Sequence, residues 1–278
     1  MLPASARTAT CCTSRASSGT RPAAAAARAA VLVARRRRQA TTAMAAAAEA
    51  PSAGGNTIIL HVKGDPKERT LGDCPFCHRV LLTLECKGVA YAASFVDLDD
   101  KPKWLIEKAQ GKVPLLERGG YWLPDSDEIV KFLEREFPAP SMAPYNDHGG
   151  VGAKLFPAFR GAILAEKGSD EEKAKMADVG AELDRVDAYL ASRAAEGPFL
   201  GGSRLDAADA SFAPKLYHAK VALPALKGAA PLFALAGGAR PALARYWQEL
   251  TALEAWQRTD YGEAAILAGW ERHQRMHA

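Results

Sequence analysis

A cysteine followed directly by proline stands where an apolar strand is predicted to lead into a helix. A β-branched run over 57–62 precedes Asp73-Cys74-Pro75-Phe76-Cys77, and apolar residues at helical spacing follow it. Proline at the first position of a helix has no N–H to lose, and its φ already suits the helix, so Cys74 is predicted to be the N-cap. The chain is therefore constrained to a fold in which a strand is followed by a short loop and then by a helix whose N-cap is Cys74.

This position favours a reactive sulfur. An N-cap side chain faces unpaired backbone N–H groups and the positive end of the helix dipole, and both favour thiolate over thiol. Because the thiolate is the nucleophile, Cys74 is predicted to be the catalytic residue of a thiol or redox reaction. Cys77 lies one helical turn away and is expected to be more buried and less ionised. It is therefore predicted to resolve a disulfide with Cys74 rather than to attack substrate.

Two other interpretations of the C-x-x-C pair are half of a zinc site and an inert structural pair. A closed tetrahedral zinc site needs about four ligands. The only later cysteine, Cys86, falls inside the same predicted helix, and no second C-x-x-C follows. The spacing therefore favours thiol chemistry, and we predict no metal site.

The first 55 residues differ from the rest of the chain. They contain eight arginines, no lysine and one acidic residue, Glu49, and they are rich in alanine, serine and threonine. They lack the apolar core of roughly 7–15 residues that a secretory signal needs. This composition is typical of an organelle transit peptide, with a disordered basic tail as the alternative.

The composition of the remaining chain disfavours several functions. It holds 28 basic and 31 acidic residues, so its slight negative charge argues against a nucleic-acid partner. No run of 18 apolar residues occurs, so we expect no stable membrane insertion. Three cysteines remain beyond residue 55, an odd number that does not fit a secreted disulfide framework.

Residues 56–138 alternate between strand and helix patterns. The predicted strands are 57–62, 91–97, 113–116 and 120–123. One helix is predicted to begin at Pro75, a second to cover 101–109, and a third to open at 125–127. The order β-α-β-α-β-β-α predicts a thioredoxin-like domain, with helices on both faces of its sheet.

Prolines and a glycine pair mark a linker over 139–150, and only helical patterns follow over 151–278. An apolar stripe at steps of three and four comprises Met176, Val179, Leu183, Val186 and Leu190. The sequence therefore predicts an α/β thioredoxin-like N-terminal domain followed by an all-α C-terminal domain, which is the architecture of glutathione transferases.

Within the helical domain, Asp206 and Asp209 have the spacing of a capping box that opens an apolar helix over 210–221. The stretch 221–239 is predicted to be loop and short helix, because Pro224, Pro231 and several glycines interrupt it. A further helix is predicted over 245–256.

Several motifs occur in a specific order between Lys63 and Trp270. They are Leu71-Gly72-Asp73-Cys74-Pro75-Phe76, Arg79-Val80-Leu81-Leu82-Thr83-Leu84-Glu85, Asp100-Lys101-Pro102-Lys103-Trp104, Gly111-Lys112-Val113-Pro114, Asp125-Ser126-Asp127 and Ala213-Pro214-Lys215-Leu216-Tyr217-His218. Together they resemble the plant and algal dehydroascorbate reductases within the glutathione transferase superfamily. The resemblance implies glutathione-dependent reduction of dehydroascorbate to ascorbate through a Cys74 thiol intermediate. It implies no bound cofactor, because glutathione is a co-substrate.

The resemblance also implies contacts with glutathione. Val113 precedes Pro114 in a turn like the cis-proline turn of thioredoxin-like proteins, where its backbone would pair with the cysteinyl part of glutathione. Ser126 would hold the γ-glutamyl carboxylate at a helix start, with simple helix capping as the alternative. Lys101 matches a glutathione contact of the family.

Four further residues match family positions at or near the substrates. Lys63 and Asp73 match contacts with glutathione and ascorbate, the alternative being a solvated surface position. His218 and Trp270 match positions near the site in the helical domain, the alternative being a place in the core.

Two positions depart from the family pattern. Serine is usual where Cys77 stands, so this chain has a dithiol instead of a monothiol. His273 replaces a basic residue three positions after the tryptophan, so that contact with ascorbate is not carried over.

The resemblance favours a monomer in the chloroplast stroma, with the mitochondrion as the alternative location. Glutathione and dehydroascorbate are the expected partners. Two other functions stay open from the sequence: a general thiol transferase of the omega or glutaredoxin type, and a membrane-associating protein like the chloride intracellular channels, which share the C-P-F motif.

Overall fold

The computed structural model describes residues 56–143, 148–233 and 238–277. The predicted transit segment over 1–55 lies outside the described residues, as do positions 144–147 of the predicted linker. The strands are β1 (Ile58–Asp65), β2 (Thr70–Leu71), β3 (Tyr91–Val96), β4 (Leu115–Arg118) and β5 (Tyr121–Pro124). The helices are α1 (Pro75–Lys87), α2 (Lys103–Ala109), α3 (Ser126–Glu136), α4 (Leu155–Leu164), α5 (Asp170–Ser192), α6 (Ala207–Lys227), α7 (Pro241–Ala252), α8 (Glu254–Thr259) and α9 (Glu263–His277), with a 3₁₀ turn at Ala230–Phe233.

The N-terminal part is the predicted α/β fold. Strand β1 lies between β3, which runs parallel to it, and β4, which runs antiparallel; β5 pairs with β4. The short strand β2 pairs antiparallel with the end of β1 and was not predicted. Leu60, Val62, Val80, Leu84 and Leu116 are buried between the sheet and α1. Apolar burial of this kind stabilises the sheet by roughly 25 cal/mol per Å².

Helix α1 begins and ends as its sequence requires. Cys74 is the N-cap in extended conformation, and Pro75 occupies the first helical position. Gly88 follows the helix at φ 62°, and its N–H donates to the Glu85 carbonyl. A left-handed C-cap of this kind favours glycine.

The C-terminal part is helical, as predicted, and its core contains most of the α5 stripe. Val179, Leu183, Val186 and Leu190 are buried, whereas Met176 is only partly buried. The predicted capping box is present, because Asp206 and Asp209 exchange hydrogen bonds at the start of α6. Helix α1 packs against α6 and α8, and its Leu82 belongs to the helical core. Helix α1, which follows the N-cap Cys74, therefore contributes side chains to both the α/β core and the helical core.

Two expectations for the helical part were wrong. Helix α6 continues to Lys227 through both Pro214 and Pro224 instead of ending near 221. Proline inside a helix costs about 3 kcal/mol, and the burial of most of α6 offsets that cost. The predicted helix over 245–256 is two helices, α7 and α8, separated by Leu253 in extended conformation.

Helices α4 and α9 were not predicted. The buried residues of α9 are Ile266 and Trp270, and a single pair four residues apart is too short to show a stripe in the sequence.

Candidate functional site

The Cys74 sulfur is bonded as a helix N-cap. The Cys77 backbone N–H donates to Cys74 Sγ at 3.4 Å. The pKa of Cys74 is lowered, first by a hydrogen bond from the Cys77 thiol, then by the backbone N–H groups of Cys77 and Phe76 and by the charge of Lys63, against the opposing effect of burial. These donors favour the thiolate, so Cys74 has the environment of a nucleophile.

Cys77 has the opposite character. Its side chain is fully buried, and burial together with the neighbouring Cys74 raises its pKa well above the ordinary thiol value. Both cysteines are free thiols in this structure. Cys77 is thus more buried than Cys74, as expected, and the opposite directions of the two pKa shifts agree with a less ionised Cys77.

Lys63 and Asp73 form an ion pair beside Cys74. Lys63 Nζ lies 2.6 Å from Asp73 Oδ1, and both side chains are partly buried. Helix α9 passes directly over this carboxylate, because a Cβ placed on Gly269 would overlap Asp73. The sequence indicated the first two residues through the family resemblance and gave no signal for Gly269.

Ser126 lies at the first position of α3 and is buried. Asp125 is the N-cap, and its carboxylate accepts from the N–H groups of Asp127 at 2.7 Å and Glu128 at 3.4 Å. The alternative that Ser126 caps the helix is therefore wrong. Its N–H and hydroxyl lie at a helix N-terminus, where an anionic ligand is favoured.

An ion pair behind Ser126 was not predicted. Arg79 of α1 is buried, and its Nη1 lies 2.6 Å from Asp127 Oδ1. Arg79, Asp127 and Lys215 of α6 line one cavity of about 270 Å³. Burial, followed by the charge of Arg79, lowers the pKa of Lys215. This pair links the start of α3 to α1, so it supports the position of Ser126.

The remaining predicted glutathione contacts lie in loops. The Val113–Pro114 peptide bond is cis, as expected, and Val113 is half-buried. Lys101 is exposed, and its side chain lies against Gly111.

His218 and Trp270 are buried and bonded to each other. Trp270 Nε1 donates to His218 Nδ1 at 2.9 Å, and His218 Nε2 lies 2.7 Å from the Tyr261 hydroxyl oxygen. Their burial agrees with the alternative of a core position, and both ring nitrogens of His218 are occupied. Direct substrate contact by these two residues stays a prediction. No sequence pattern indicated Tyr261, because it lies in the loop between α8 and α9.

The described residues include no group of three or more histidine, cysteine or acidic side chains that would suit a metal ion. Among the helices in the described ranges, none combines the length and the apolar character needed to cross a membrane.

Comparison with known proteins shows the family to which the chain is similar. The model of the glutathione S-transferase N-terminal domain matches residues 73–136, and that of the C-terminal domain matches 173–249. "Glutathione S-transferase DHAR3, chloroplastic" of Arabidopsis thaliana is 36% identical over 72% of this chain and 74% of its own length. "Probable glutathione S-transferase DHAR1, cytosolic" of Oryza sativa subsp. japonica is 38% identical over 72% of this chain and 90% of its own. The crystal structure of dehydroascorbate reductase from Chlamydomonas reinhardtii superposes with a TM-score of 0.72 at 43% identity, covering 79% of this chain and 100% of that chain.

Proposed function

This chain belongs to the dehydroascorbate reductases of the glutathione transferase superfamily, and we propose that it reduces dehydroascorbate to ascorbate by passing electrons from glutathione through Cys74. The observation that carries this function is the Cys74 sulfur at the N-cap of α1, with donors that lower its pKa. A reactive thiolate is what both halves of such a reaction need.

The reaction divides into three thiol steps. The Cys74 thiolate adds to a carbonyl carbon of dehydroascorbate, and the carbonyl oxygen takes a proton from water. Glutathione thiolate then attacks the Cys74 sulfur, so the electron pair of the carbon–sulfur bond leaves with ascorbate, and a mixed disulfide remains. A second glutathione thiolate attacks that disulfide and releases glutathione disulfide and the Cys74 thiolate. Two glutathiones are oxidised for each dehydroascorbate reduced, and ping-pong kinetics follow.

The proposed substrate contacts are those that the family resemblance implies. Val113, Ser126 and Lys101 would bind the cysteinyl and glutamyl parts of glutathione, as the family resemblance implies. Lys63 and Asp73 lie beside the reactive sulfur and would meet both substrates there. No metal, flavin or nicotinamide takes part in this scheme, and glutathione serves as co-substrate.

Ser126→Ala is expected to raise the KM for glutathione by about tenfold and to leave kcat nearly unchanged. The hydroxyl would anchor the glutamyl carboxylate equally in the ground and transition states, and a lost hydrogen bond to a charged group is worth about 1.5 kcal/mol. Initial rates over a range of glutathione concentrations measure the change, and Ser141→Ala, on an exposed loop, is the control. An unchanged glutathione KM with an altered dehydroascorbate KM would place glutathione elsewhere.

Cys77 variants should separate its two proposed roles, as a hydrogen-bond donor and as a resolving thiol. Cys77→Ser keeps a donor beside Cys74, so it should stay active with glutathione. Cys77→Ala removes the donor that most lowers the Cys74 pKa, so that pKa should rise. Alkylation of Cys74 by iodoacetamide should then require higher pH in the alanine variant than in the serine variant. Identical alkylation profiles would contradict the donor role.

The same variants test the disulfide. After dehydroascorbate treatment without glutathione, peptide mapping of the wild-type protein should show a Cys74–Cys77 disulfide, which Cys77→Ser cannot form. A wild-type protein with only a sulfenic acid or adduct at Cys74 would leave Cys77 as a packing residue. Loss of glutathione-dependent turnover in Cys77→Ser would contradict the monothiol scheme given above.

For location and assembly we propose a monomer in the chloroplast stroma, with the basic 1–55 segment as its transit peptide. One of the relatives above is named chloroplastic and another cytosolic, so import of the full chain into isolated chloroplasts is the test. The relatives do not favour the two other functions, a general thiol transferase and a channel-like membrane protein. Relative rates with dehydroascorbate and a mixed disulfide would separate the enzyme functions.

A further inference from the structure

The hydrogen bonds among Trp270, His218 and Tyr261 have a fixed direction. An indole N–H can only donate, so His218 Nδ1, which lies 2.9 Å from Trp270 Nε1, must accept and carries no proton. The proton of the neutral imidazole is then on Nε2, which donates to the Tyr261 oxygen at 2.7 Å. Burial lowers the pKa of His218 to about 3, so the ring stays neutral at physiological pH.

Because the Tyr261 oxygen accepts the hydrogen bond from His218, the Tyr261 hydroxyl proton is available to another acceptor. The oxygen accepts from His218, and within the described part of the chain no acceptor bonds the Tyr261 O–H. His218 is 1% exposed and Trp270 is 8% exposed, whereas Tyr261 is half-buried. Tyr261 is therefore the member of this chain of hydrogen bonds that a substrate can reach.

Tyr261 lies on the same side of α1 as the reactive sulfur. Its ring packs edge to face on His78, with 5.1 Å between centroids, and His78 follows Cys74 by one helical turn. After burial, the charge of Cys74 is the largest influence that raises the Tyr261 pKa. The tyrosine consequently keeps its proton at neutral pH and acts as a hydrogen-bond donor rather than as a base.

We propose that Tyr261 is a catalytic residue whose O–H donates to the substrate carbonyl oxygen at the carbon attacked by Cys74, and that His218 and Trp270 are positioning residues. The inference rests on the proposed function and names its substrate class, a vicinal dicarbonyl. When the sulfur–carbon bond forms, the carbonyl π pair moves to oxygen, and Tyr261 hydrogen-bonds the developing alkoxide while water supplies its proton. A donor aimed at developing charge lowers the barrier because it is already oriented before the reaction.

The test compares two substrates that differ in this oxygen. Tyr261→Phe should lower the ratio of dehydroascorbate turnover to turnover of hydroxyethyl disulfide about 10- to 100-fold, because attack on a disulfide develops no alkoxide. Tyr121→Phe is the matched control, since Tyr121 is exposed on β5, and it should leave the ratio unchanged. The Tyr261→Phe protein should also keep the wild-type pH dependence of Cys74 alkylation.

Other outcomes overturn the proposal. An unchanged ratio would show that Tyr261 gives no help at the substrate oxygen, and equal losses with both substrates would assign it a structural role or a role at the sulfur. A wild-type protein that reduces the disulfide and not dehydroascorbate would instead overturn the proposed function.

A second pair of variants decides the matter if Tyr261→Phe does not fold. His218→Gln can accept from Trp270 and donate to Tyr261, whereas His218→Leu can do neither. In His218→Gln the ratio of dehydroascorbate turnover to disulfide turnover should stay within about threefold of wild type. In His218→Leu the same ratio should fall about 10- to 100-fold, as in Tyr261→Phe. Equal ratios in the two variants would contradict a positioning role for His218.

Discussion

Cys74→Ser is expected to lower dehydroascorbate turnover by about 1000-fold or more, which corresponds to about 4 kcal/mol of activation free energy. A serine hydroxyl at the N-cap keeps the helix start, but it neither ionises at neutral pH nor forms a disulfide with glutathione. The melting temperature should therefore change little while kcat falls. Steady-state rates with both substrates and a thermal unfolding curve measure the two quantities.

Cys86→Ser is the matched control for that substitution. Cys86 lies near the end of the same helix, and burial raises its pKa to about 12, so its thiol is protonated at neutral pH. This variant should keep wild-type turnover. If Cys74→Ser keeps more than about a tenth of the wild-type kcat, a difference of only ~1.4 kcal/mol, Cys74 is not the nucleophile.

Gly269→Ala is expected to lower turnover by about 100-fold because the added methyl group would displace Asp73, the residue before Cys74. Gly269 itself is far from Cys74 in sequence. A Cβ at this position would overlap the Asp73 carboxylate, so either α9 or Asp73 has to move. Asp73 precedes Cys74 and pairs with Lys63 at 2.6 Å, and a misplacement of about 1 Å near reacting groups can cost 100-fold in rate. Rates with both substrates measure the loss.

Gly180→Ala is the control for the glycine substitution. Gly180 is also inside a helix, α5, and a Cβ there would meet Leu232 Cδ2 at 3.4 Å, which is an ordinary contact. Because alanine is favoured over glycine in helices by about 1 kcal/mol, this variant should be as stable as the wild type or more so, with full activity. Equal activity of the two variants would show that the close approach of α9 has no part in catalysis.

The parts of the site that could be predicted from the sequence depend on local rules. A strand, a Cys-Pro step and a helical pattern are enough to place Cys74 at an N-cap, and the structure confirms it. The Asp206–Asp209 capping box and the α5 stripe are equally local patterns, and they were predicted for the same reason.

The parts that were missed depend on contacts between distant segments. Tyr261 packs on His78 of α1 and Gly269 lies against Asp73, and both contacts join segments that are far apart in the sequence. Neither residue type carries a local signal for that packing. The continuation of α6 through Pro224 has a similar cause, since burial overrides the preference of proline against helix interiors. The Arg79–Asp127 ion pair likewise joins two helices that the sequence does not show to be neighbours.

The most direct test of the account is to identify the state of each cysteine while ascorbate is being formed. Reduced protein would be mixed with dehydroascorbate and limiting glutathione, quenched in acid, and mapped by peptide mass spectrometry beside a measurement of ascorbate. We predict that Cys74 is found in a disulfide, with glutathione or with Cys77, in proportion to the ascorbate formed, and that Cys86 stays unmodified. The account would be contradicted if the protein formed ascorbate while Cys74 remained a free thiol throughout.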